Sequence, residues 1–286
     1  MDGVLVIDKP AGITSHDVVD EVRRKLRTKK VGHGGTLDPD ATGVLFVGVG
    51  RATRFLSYAQ SAPKTYRAEV VFGRTTSTQD ASGEVLETRP VEFGRAELES
   101  TLPQFTGEIE QVPPMVSAVR IDGERLYEKA RRGEEVERPA RRVTISELTL
   151  VDFRQADDTV AIIDVTCSGG TYIRSLSHDL GEALGSGAHM RTLRRLAAGG
   201  FTLEEAVSLD DVSPEVLLPL ADVVRDLPPT EVSDADAALA LNGRPLFFEE
   251  EGLEEGEATA VMNSGRFLGV FRRAGRRIVP ERVVSQ

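Results

Sequence analysis

The sequence predicts an α+β protein with a smaller β-rich part at its C-terminus, and three patterns support this prediction. Residues 44–49 read Val-Leu-Phe-Val-Gly-Val, which is apolar on both alternating faces and typical of a strand buried on two sides. Apolar residues that follow Thr14 and Ile173 recur instead at helical spacing. Beyond the proline pair at 228–229, the chain has short strand-like pieces such as residues 267–271.

Each main element follows from its own periodicity. The first helix begins after Thr14, a plausible N-cap, and its apolar stripe comprises Val18, Val19, Val22 and Leu26. Alternating residues from Tyr66 to Phe72 predict a strand that begins with Tyr66 on its apolar face. A second helix has the stripe Ile173, Leu176, Leu180 and Leu184. Arg174 is therefore expected in its first turn, off the stripe, where it is able to face a site.

Asp38 lies on a glycine-rich loop at residues 31–43. Gly32, Gly34 and Gly35 permit close approach of another molecule, while Pro39 holds Asp38 extended and breaks any helix. For such a loop in isolation, a solvated turn in which Asp38 caps a backbone amide is the alternative interpretation. Because the buried strand at 44–49 supports this loop, we interpret it as an active-site loop.

Length and composition predict one main domain with a small appendage, in a soluble cytoplasmic protein. The chain has 286 residues, and no apolar stretch reaches the roughly 20 residues of a membrane span. No basic-then-apolar signal segment begins it. Cys167 is the one cysteine in the sequence and ends a strand-like run at 159–167, so we expect a core thiol in a reducing compartment.

The formal net charge of −11 argues against an RNA partner unless the basic residues are clustered. They are clustered in three segments, each of which is alternatively a solvated face. The clusters are Arg23, Arg24, Lys25, Arg27, Lys29 and Lys30; Arg131, Arg132, Arg138, Arg141 and Arg142; and Arg191, Arg194 and Arg195.

Three further motifs accompany the Asp38 loop in a fixed order. They read Lys-Pro-Ala-Gly-Ile-Thr-Ser at 9–15, Lys-Thr-Tyr-Arg-Ala at 64–68 and Ser-Gly-Gly-Thr-Tyr-Ile-Arg-Ser-Leu at 168–176. With the loop, they resemble the bacterial tRNA pseudouridine synthase B family from about residue 3 to the C-terminus. That family isomerises uridine 55 in the T-loop of transfer RNA.

The resemblance implies a fold and a domain division. The fold is the pseudouridine synthase fold, with a mixed, largely antiparallel central sheet and flanking helices. Residues 1–226 would form the catalytic domain, and residues 227–286 a PUA-like RNA-binding domain with Arg272, Arg273, Arg276 and Arg277 beside acidic residues. Within the first, residues 103–142 would be a thumb-like insertion that grips the T-arm. A solvated connector is the alternative for this insertion.

The resemblance also implies a catalytic set. Asp38 would attack C1′ or remove a ribose proton, and the sequence does not choose between the two routes. Arg174 is the candidate cation that keeps Asp38 ionised. Tyr66 would stack on the flipped uracil and help move the C5 proton.

Five more residues would bind or organise the substrate. His33 would occupy the space that the flipped base leaves, Tyr172 would pack against the pocket, and Asp80 would organise the pocket by hydrogen bonds. Lys9 and Lys64 complete the set, with Lys9 supporting the loop more than touching RNA. The reaction needs no cofactor and no metal.

One departure lies next to the catalytic position. The family's loop usually reads Gly-His-Thr-Gly-Thr/Ala-Leu-Asp-Pro, and Gly34 replaces its first threonine. The replacement removes a hydroxyl and adds backbone freedom beside His33.

Other functions stay open at this point. A noncatalytic tRNA-binding or tRNA-folding protein would not need Asp38, whose charge opposes phosphate binding. A glycoside hydrolase would need a second acid, for which Asp40 and Asp80 are conceivable partners. Within the family, a guide-RNA-dependent enzyme is an alternative, and the thumb-like insertion favours the stand-alone bacterial type. We expect a monomer that uses no guide RNA.

Overall fold

The computed structural model describes residues 1–114, 120–121, 124–125, 132, 136, 138–248 and 252–284. These form two compact units, each of which is described by itself. The first unit contains Met1–Pro39, Val44–Ala62 and Ala198–Gln286, and the second contains Asp40–Gly43 and Pro63–Ala197. No helix among the described residues is long and apolar enough to span a membrane.

The described part of the chain contains five short helices and many strands, several of which follow one another without an intervening helix. The helices are α1 (Ser15–Lys25), α2 (Leu56–Ser61), α3 (Arg95–Thr101), α4 (Ile173–Ala183) and α5 (Asp234–Leu241). Single 3-10 turns cover Gly50–Arg54, Leu102–Phe105, Leu203–Glu205, Pro214–Val216 and Leu220–Val224. The strands are β1 (Gly3–Lys9), β2 (Val31–His33), β3 (Thr42–Val49), β4 (Lys64–Phe72), β5 (Arg74–Thr76), β6 (Val85–Thr88), β7 (Gly107–Gln111), β8 (Arg120–Ile121), β9 (Glu124–Arg125), β10 (Arg141–Gln155), β11 (Thr159–Cys167), β12 (Ala188–Ala198), β13 (Phe201–Thr202), β14 (Pro229–Glu231), β15 (Leu246–Phe247), β16 (Ala258–Asn263), β17 (Arg266–Ala274) and β18 (Arg277–Val283).

Helix α1 begins where its sequence predicts. Thr14 is the N-cap, its side chain accepts from the backbone N–H of Asp17, and the Asp17 carboxylate accepts from the Thr14 N–H at 2.7 Å. This reciprocal capping box satisfies two backbone donors that the first turn leaves open. The apolar stripe of α1, including Val18 and Val22, is buried. The predicted amphipathic helix is confirmed.

Strand β3 is buried on both faces, as the sequence predicts. Val44 and Phe46 pack into one apolar cluster. Leu45 and Val47, which point to the opposite side, pack into a second cluster that contains the buried stripe of α1. The strand therefore connects two cores of the first unit and gives a rigid support to the loop that precedes it.

The sheet of the second unit has the strand order β12-β4-β11-β10-β7. Strands β4, β11, β10 and β7 pair antiparallel, and Tyr66 on β4 lies opposite Val165 on β11. The first residues of β3, Thr42 and Gly43, pair parallel with Arg194 and Arg195 on β12. The sheet is thus mixed and largely antiparallel, which confirms the expectation.

The C-terminal part of the chain is β-rich, as predicted. Its strands have the order β14-β16-β17-β18-β15, and α5 packs against them. Its core is not isolated, because Phe267 packs edge-on against Phe55 with ring centroids 5.1 Å apart. Val270 belongs to the same apolar cluster. The boundary between residues 226 and 227 stays a prediction, and a cut there would expose this shared cluster.

The predicted thumb-like insertion, residues 103–142, is described in part, because most of residues 115–137 lie outside the described residues. Its two ends are described. Strand β7 and the start of β10 pair antiparallel, with Gln111 opposite Arg141. Both ends of the insertion are thereby anchored in the sheet of the second unit.

Candidate active site

The Asp38 loop is held by backbone contacts on both sides of the carboxylate. On one side, the Leu37 N–H donates to Ser15 Oγ at 2.9 Å, and the same hydroxyl donates to the Leu37 carbonyl at 3.2 Å. Leu37 is itself buried. Because Ser15 is the first residue of α1, the helix fixes the residue directly before Asp38, while Asp38 stays partly exposed.

On the other side, the Pro39 carbonyl accepts two hydrogen bonds. Lys9 Nζ donates to it at 2.8 Å, and the Gly12 N–H donates at 2.9 Å. Lys9 is fully buried, and its ammonium also donates to the Pro10 carbonyl at 2.8 Å. These hydrogen bonds hold the residue that follows Asp38. The preference for loop support over contact with RNA stays a prediction for Lys9.

Gly34 lies against Phe46. Its N–H donates to the Phe46 carbonyl at 2.9 Å, and a Cβ built on Gly34 would be only 1.6 Å from Cε2 of the Phe46 ring. No side chain fits at position 34 while that ring stays in place. In this chain the buried ring of Phe46 covers Gly34.

His33 directly precedes Gly34 and ends β2. Its backbone pairs with Val47 on β3, which fixes its position along the strand. The residue is half-buried. Its role in filling the space of a flipped base stays a prediction.

In the second unit, Arg174 is placed against Asp80. Arg174 is 5 % exposed, its Nη1 lies 3.3 Å from Asp80 Oδ2, and the same nitrogen donates to the Thr78 carbonyl at 3.4 Å. The sequence predicted that Arg174 lies off the apolar stripe of α4. The structure shows that it is nevertheless buried, because the segment around Asp80 covers the first turn of the helix.

The two oxygens of Asp80 have separate partners. Oδ1 accepts from Thr78 Oγ1 at 2.7 Å, from Ser82 Oγ at 2.6 Å and from the Ser82 N–H at 3.0 Å. Oδ2 is the oxygen that faces Arg174. The turn thus holds the carboxylate in one orientation toward the guanidinium. The role of Asp80 in organising a substrate pocket stays a prediction.

Gln79 is a residue that the sequence analysis missed. Its backbone has φ +62°, in the left-handed region that residues other than glycine rarely adopt. Its side-chain Oε1 accepts from Ser175 Oγ at 3.1 Å, and its carbonyl accepts from the Met190 N–H at 3.0 Å. These contacts tie the Asp80 turn to α4 and β12. A serine- and threonine-rich turn carries no signal for such long-range contacts.

Tyr66 is contacted by a second buried arginine. Tyr66 is 8 % exposed, whereas Arg195 is 1 % exposed and donates a side-chain hydrogen bond to the Tyr66 hydroxyl. Burial lowers the pKa of Arg195, and the tyrosine oxygen opposes that change. The sequence analysis grouped Arg195 with a surface basic cluster. That assignment is wrong for Arg195, because the neighbouring strands cover its side chain completely.

The rest of that basic cluster is also engaged. Arg191 makes a two-pronged ion pair with Glu69, with its Nε 2.9 Å from Oε2. Arg194 Nη1 donates to Thr42 Oγ1 at 3.3 Å. These contacts explain why the three arginines of β12 do not form one free phosphate-binding patch.

Lys64 lies two residues before Tyr66 on β4, so both point to the same face of the sheet. Lys64 is 8 % exposed, and burial lowers the pKa of its ammonium, with a further lowering from nearby Arg195. Opposite Lys64 lies Cys167, a buried thiol whose pKa is raised by burial. The expectation of a core thiol is confirmed.

Tyr172 is the N-cap residue of α4, and a single side chain fixes its backbone. The Tyr172 N–H donates to Gln111 Oε1 at 3.0 Å, and Gln111 Nε2 donates to the Tyr172 carbonyl at 3.3 Å. Gln111 is 2 % exposed. The start of α4, and with it Arg174, is therefore tied to the end of β7.

The predicted residues fall into two groups. Lys9, His33 and Asp38 belong to the first unit, where Lys9 supports the Asp38 loop. The second unit carries the other five, and it joins Arg174 to Asp80 and Tyr66 to Arg195. In the described part of the chain, no three His, Cys, Asp or Glu residues are grouped as metal ligands.

Comparison with known proteins identifies the class to which this fold and these residues belong. The model of the TruB family of pseudouridylate synthases, N-terminal domain, matches residues 23–173. The model of the tRNA pseudouridylate synthase B C-terminal domain matches residues 174–226. The chain is a pseudouridine synthase by class. It belongs to the TruB family.

Curated relatives and solved structures agree with this assignment. A tRNA pseudouridine synthase B of Chromobacterium violaceum is 49% identical over 284 residues, which cover 96% of this chain and 92% of the relative. One of Symbiobacterium thermophilum is 52% identical over 246 residues, or 85% and 82% of the two chains. A Cbf5–Nop10–Gar1 complex contains a chain that is 27% identical, with a TM-score of 0.77 over 98% of this chain and 84% of that one. An H/ACA ribonucleoprotein bound to a substrate RNA that contains 2′-deoxyuridine has a chain that is 25% identical to this one. The TM-score is 0.76, and the match covers 99% of this chain and 85% of that one.

Proposed function

We propose that this chain converts uridine to pseudouridine at position 55, in the T-loop of transfer RNA. In this isomerisation the bond from C1′ to N1 breaks, the uracil turns, and a bond from C1′ to C5 forms. The proton on C5 leaves, and N1 gains one. Atoms and electrons balance within the nucleotide, so the reaction needs no oxidant, reductant or cofactor.

The observation that carries the proposal is the double anchoring of the Asp38 loop. Ser15 holds Leu37, and Lys9 holds Pro39, so both neighbours of the carboxylate are fixed while Asp38 itself is partly exposed. A surface aspartate that only caps a turn needs no such support. A preorganised carboxylate is able to stabilise the positive charge that develops on the ribose, or to attack C1′.

Arg174 and Asp80 are the proposed electrostatic partners of this chemistry. A guanidinium near Asp38 keeps that carboxylate ionised after RNA excludes water. Asp80 in turn fixes the orientation of the guanidinium through its Oδ2. The role of Arg174 in keeping Asp38 ionised is part of the proposal.

The remaining predicted residues are proposed to handle the flipped nucleotide. A uridine inside a folded loop must leave its stack before its C1′ and C5 are accessible. Tyr66 would receive the uracil on its ring and assist the C5 proton, while Tyr172 lines the pocket. His33 would fill the space left in the RNA, and Lys64 would bind nearby.

The substrate is proposed to be the T-arm alone, bound by a monomer without a guide RNA, in the cytoplasm. The sequence of this chain is 43–52% identical to those of proteins named tRNA pseudouridine synthase B. It is only 25–27% identical to the matching chains of the two complexes described above, and this difference supports the choice. The insertion at 103–142 would grip the T-arm.

The C-terminal part would add phosphate contacts without chemistry. Arg272 is already paired with Glu281 at 2.7 Å, whereas Arg276 and Arg277 are exposed. Glutamine substitutions at Arg276 and Arg277 should therefore weaken tRNA binding and leave turnover at saturating RNA intact. Such substitutions test this role better than truncation, since truncation would uncover Phe55.

The proposal is tested with an unmodified tRNA transcript and with its isolated T-arm hairpin. After incubation, pseudouridine is mapped at single-nucleotide resolution. We expect complete modification at position 55 in both RNAs. Modification at another nucleotide would overturn the site assignment. If the full tRNA is modified but the isolated hairpin is not, the T-arm proposal is wrong.

The second candidate function is a noncatalytic tRNA-binding or tRNA-folding protein. It predicts tight binding with no pseudouridine at any enzyme concentration. The anchored Asp38 disfavours it, because a binder gains nothing from a negative charge held rigidly where RNA docks.

A further inference from the structure

Arg27 has a backbone conformation that disfavours arginine. It follows Leu26, the C-cap of α1, and has φ +49°. The position after a helix C-cap is often left-handed and is then usually occupied by glycine, because a Cβ there is strained. A residue kept in such a conformation points to a function for its side chain.

That side chain lines a surface cavity of about 490 Å³ at the C-terminal end of α1. The cavity lining is basic and contains one hydroxyl residue. Its residues are Arg23, Arg24, Arg27, Thr28 and Lys29. A shallow, open depression bordered by several cationic side chains suits an anionic ligand.

The cations of the cavity are not equally neutralised. Arg23 pairs with Asp20 at 2.8 Å, and Arg24 pairs with Glu21. Arg27 and Lys29 are exposed, and neither has an ion pair with any residue that the structure describes. On a chain with a net charge of −11, this is a local excess of positive charge.

We propose that the cavity binds a backbone phosphate of the RNA substrate, with Arg27 and Lys29 as the main cations. The inference rests on the proposed function, which supplies RNA as the ligand. The chain runs from this cavity through β2 directly into the Asp38 loop. A phosphate held here fixes the RNA on the unit that carries the catalytic carboxylate.

The test separates the charge of Arg27 from its backbone strain. Arg27→Gln removes the charge and keeps the strained position, whereas Arg27→Gly removes both. We expect both variants to bind a tRNA transcript about fivefold more weakly at 0.1 M salt, with the slope of log K against log salt reduced by about 0.7 to 0.9. Only Arg27→Gly should also raise the melting temperature.

Two controls match these changes. Ser264→Gly relieves another left-handed residue, at φ +48°, and should raise the melting temperature without changing the salt slope. Arg95→Gln removes an equal charge from α3, where Arg95 pairs with Glu99 at 2.8 Å, and should leave the slope at the wild-type value.

If the slope of log K against log salt for Arg27→Gln equals the slope for wild type and for Arg95→Gln, the proposal is overturned. Inorganic phosphate is added as a separate probe. If it raises the melting temperature of wild type but not of Arg27→Gln, while the salt slope of tRNA binding is the same in both, the site binds a free anion and the proposal is also overturned. Pseudouridine mapping is a separate readout, so failure of catalysis is distinguishable from failure of this binding site.

Discussion

The ring of Phe46 fills the space in which a side chain at Gly34 would lie. The two residues are twelve positions apart, and the Gly34 N–H donates to the Phe46 carbonyl at 2.9 Å. A Cβ built on Gly34 would lie only 1.6 Å from ring atom Cε2 of Phe46. The backbone freedom that glycine adds to the loop is therefore offset by packing under a fully buried ring. In this chain, Phe46 contributes to the restraint of the residues that precede Asp38.

Gly34→Thr, which introduces the residue usual in the family, should destabilise this chain by about 1–3 kcal/mol because it overpacks the Phe46 ring. Turnover should fall with it. Phe46→Ala alone should cost about 3–5 kcal/mol, because it empties a fully buried site. The double variant should lose less stability and less rate than the sum of the two single losses, because the ring that a threonine at position 34 would overlap is then gone. Gly32→Ala is the control, because its Cβ would meet Leu56 at an ordinary 3.6 Å. Independent effects of the two substitutions would contradict this account.

Lys9→Met should lower the free energy of unfolding by about 1–3 kcal/mol, since the carbonyls of Pro10 and Pro39 lose their shared donor. Turnover at saturating RNA should fall, while the affinity for tRNA should stay within about twofold of wild type. Denaturant unfolding, single-turnover rates and filter binding measure the three quantities. Reduced affinity with unchanged stability would show that Lys9 touches RNA instead.

Arg174→Lys and Asp80→Asn should impair catalysis more than folding. Lysine keeps the charge but cannot reproduce the planar contact to Asp80 and Thr78, so we expect about a 10²-fold slower single turnover. Asn at position 80 retains the oxygen that Thr78 and Ser82 bind and changes the group that faces Arg174.

For Asp80→Asn we expect an intermediate loss of about tenfold, with tRNA affinity within about threefold of wild type. If the loss of turnover in both variants is no larger than their loss of thermal stability explains, Arg174 is a structural arginine. If Asp80→Asn has no effect on rate, Asp80 does not organise the site.

Tyr66 should be tested together with Arg195. Tyr66→Phe keeps the ring as a stacking platform but removes an acceptor from a fully buried guanidinium, which should cost about 1–3 kcal/mol of stability. Arg195→Met in the same chain should recover part of that stability, because both polar partners are then gone.

With stability accounted for in this way, the chemical role of the hydroxyl becomes measurable. Tyr66→Phe should bind RNA normally and turn over slowly, whereas Tyr66→Leu should also bind weakly, since the stacking surface is lost. Normal turnover in both variants would show that Tyr66 is only a core residue.

The elements that local periodicity specifies were predictable from the sequence. The two-sided burial of β3 follows from its uninterrupted apolar residues, and the start of α1 follows from the capping pattern at Thr14 and Asp17. The strand that ends at Cys167 was expected with its observed bounds. In each case the residues within one element determine its conformation.

Contacts between distant segments were not predictable. Arg195 belongs to a run of basic residues, so its complete burial against Tyr66 depends on how β12 and β4 pair. Gln79 resembles any polar turn residue until its partner Ser175 on α4 is known. The contact of Gly34 with Phe46 depends in the same way on the register of β2 and β3.

The most direct test of the account is Asp38→Asn compared with Asp40→Asn in single-turnover mapping of pseudouridine on tRNA. Asn at position 38 preserves shape and removes the negative charge, so we expect a folded protein that binds tRNA and forms pseudouridine at least 10³-fold more slowly. Asp40 is an exposed acid two residues away, and its variant should stay within about threefold of wild type. An Asp38→Asn rate within tenfold of wild type would contradict the central claim that Asp38 carries the reaction.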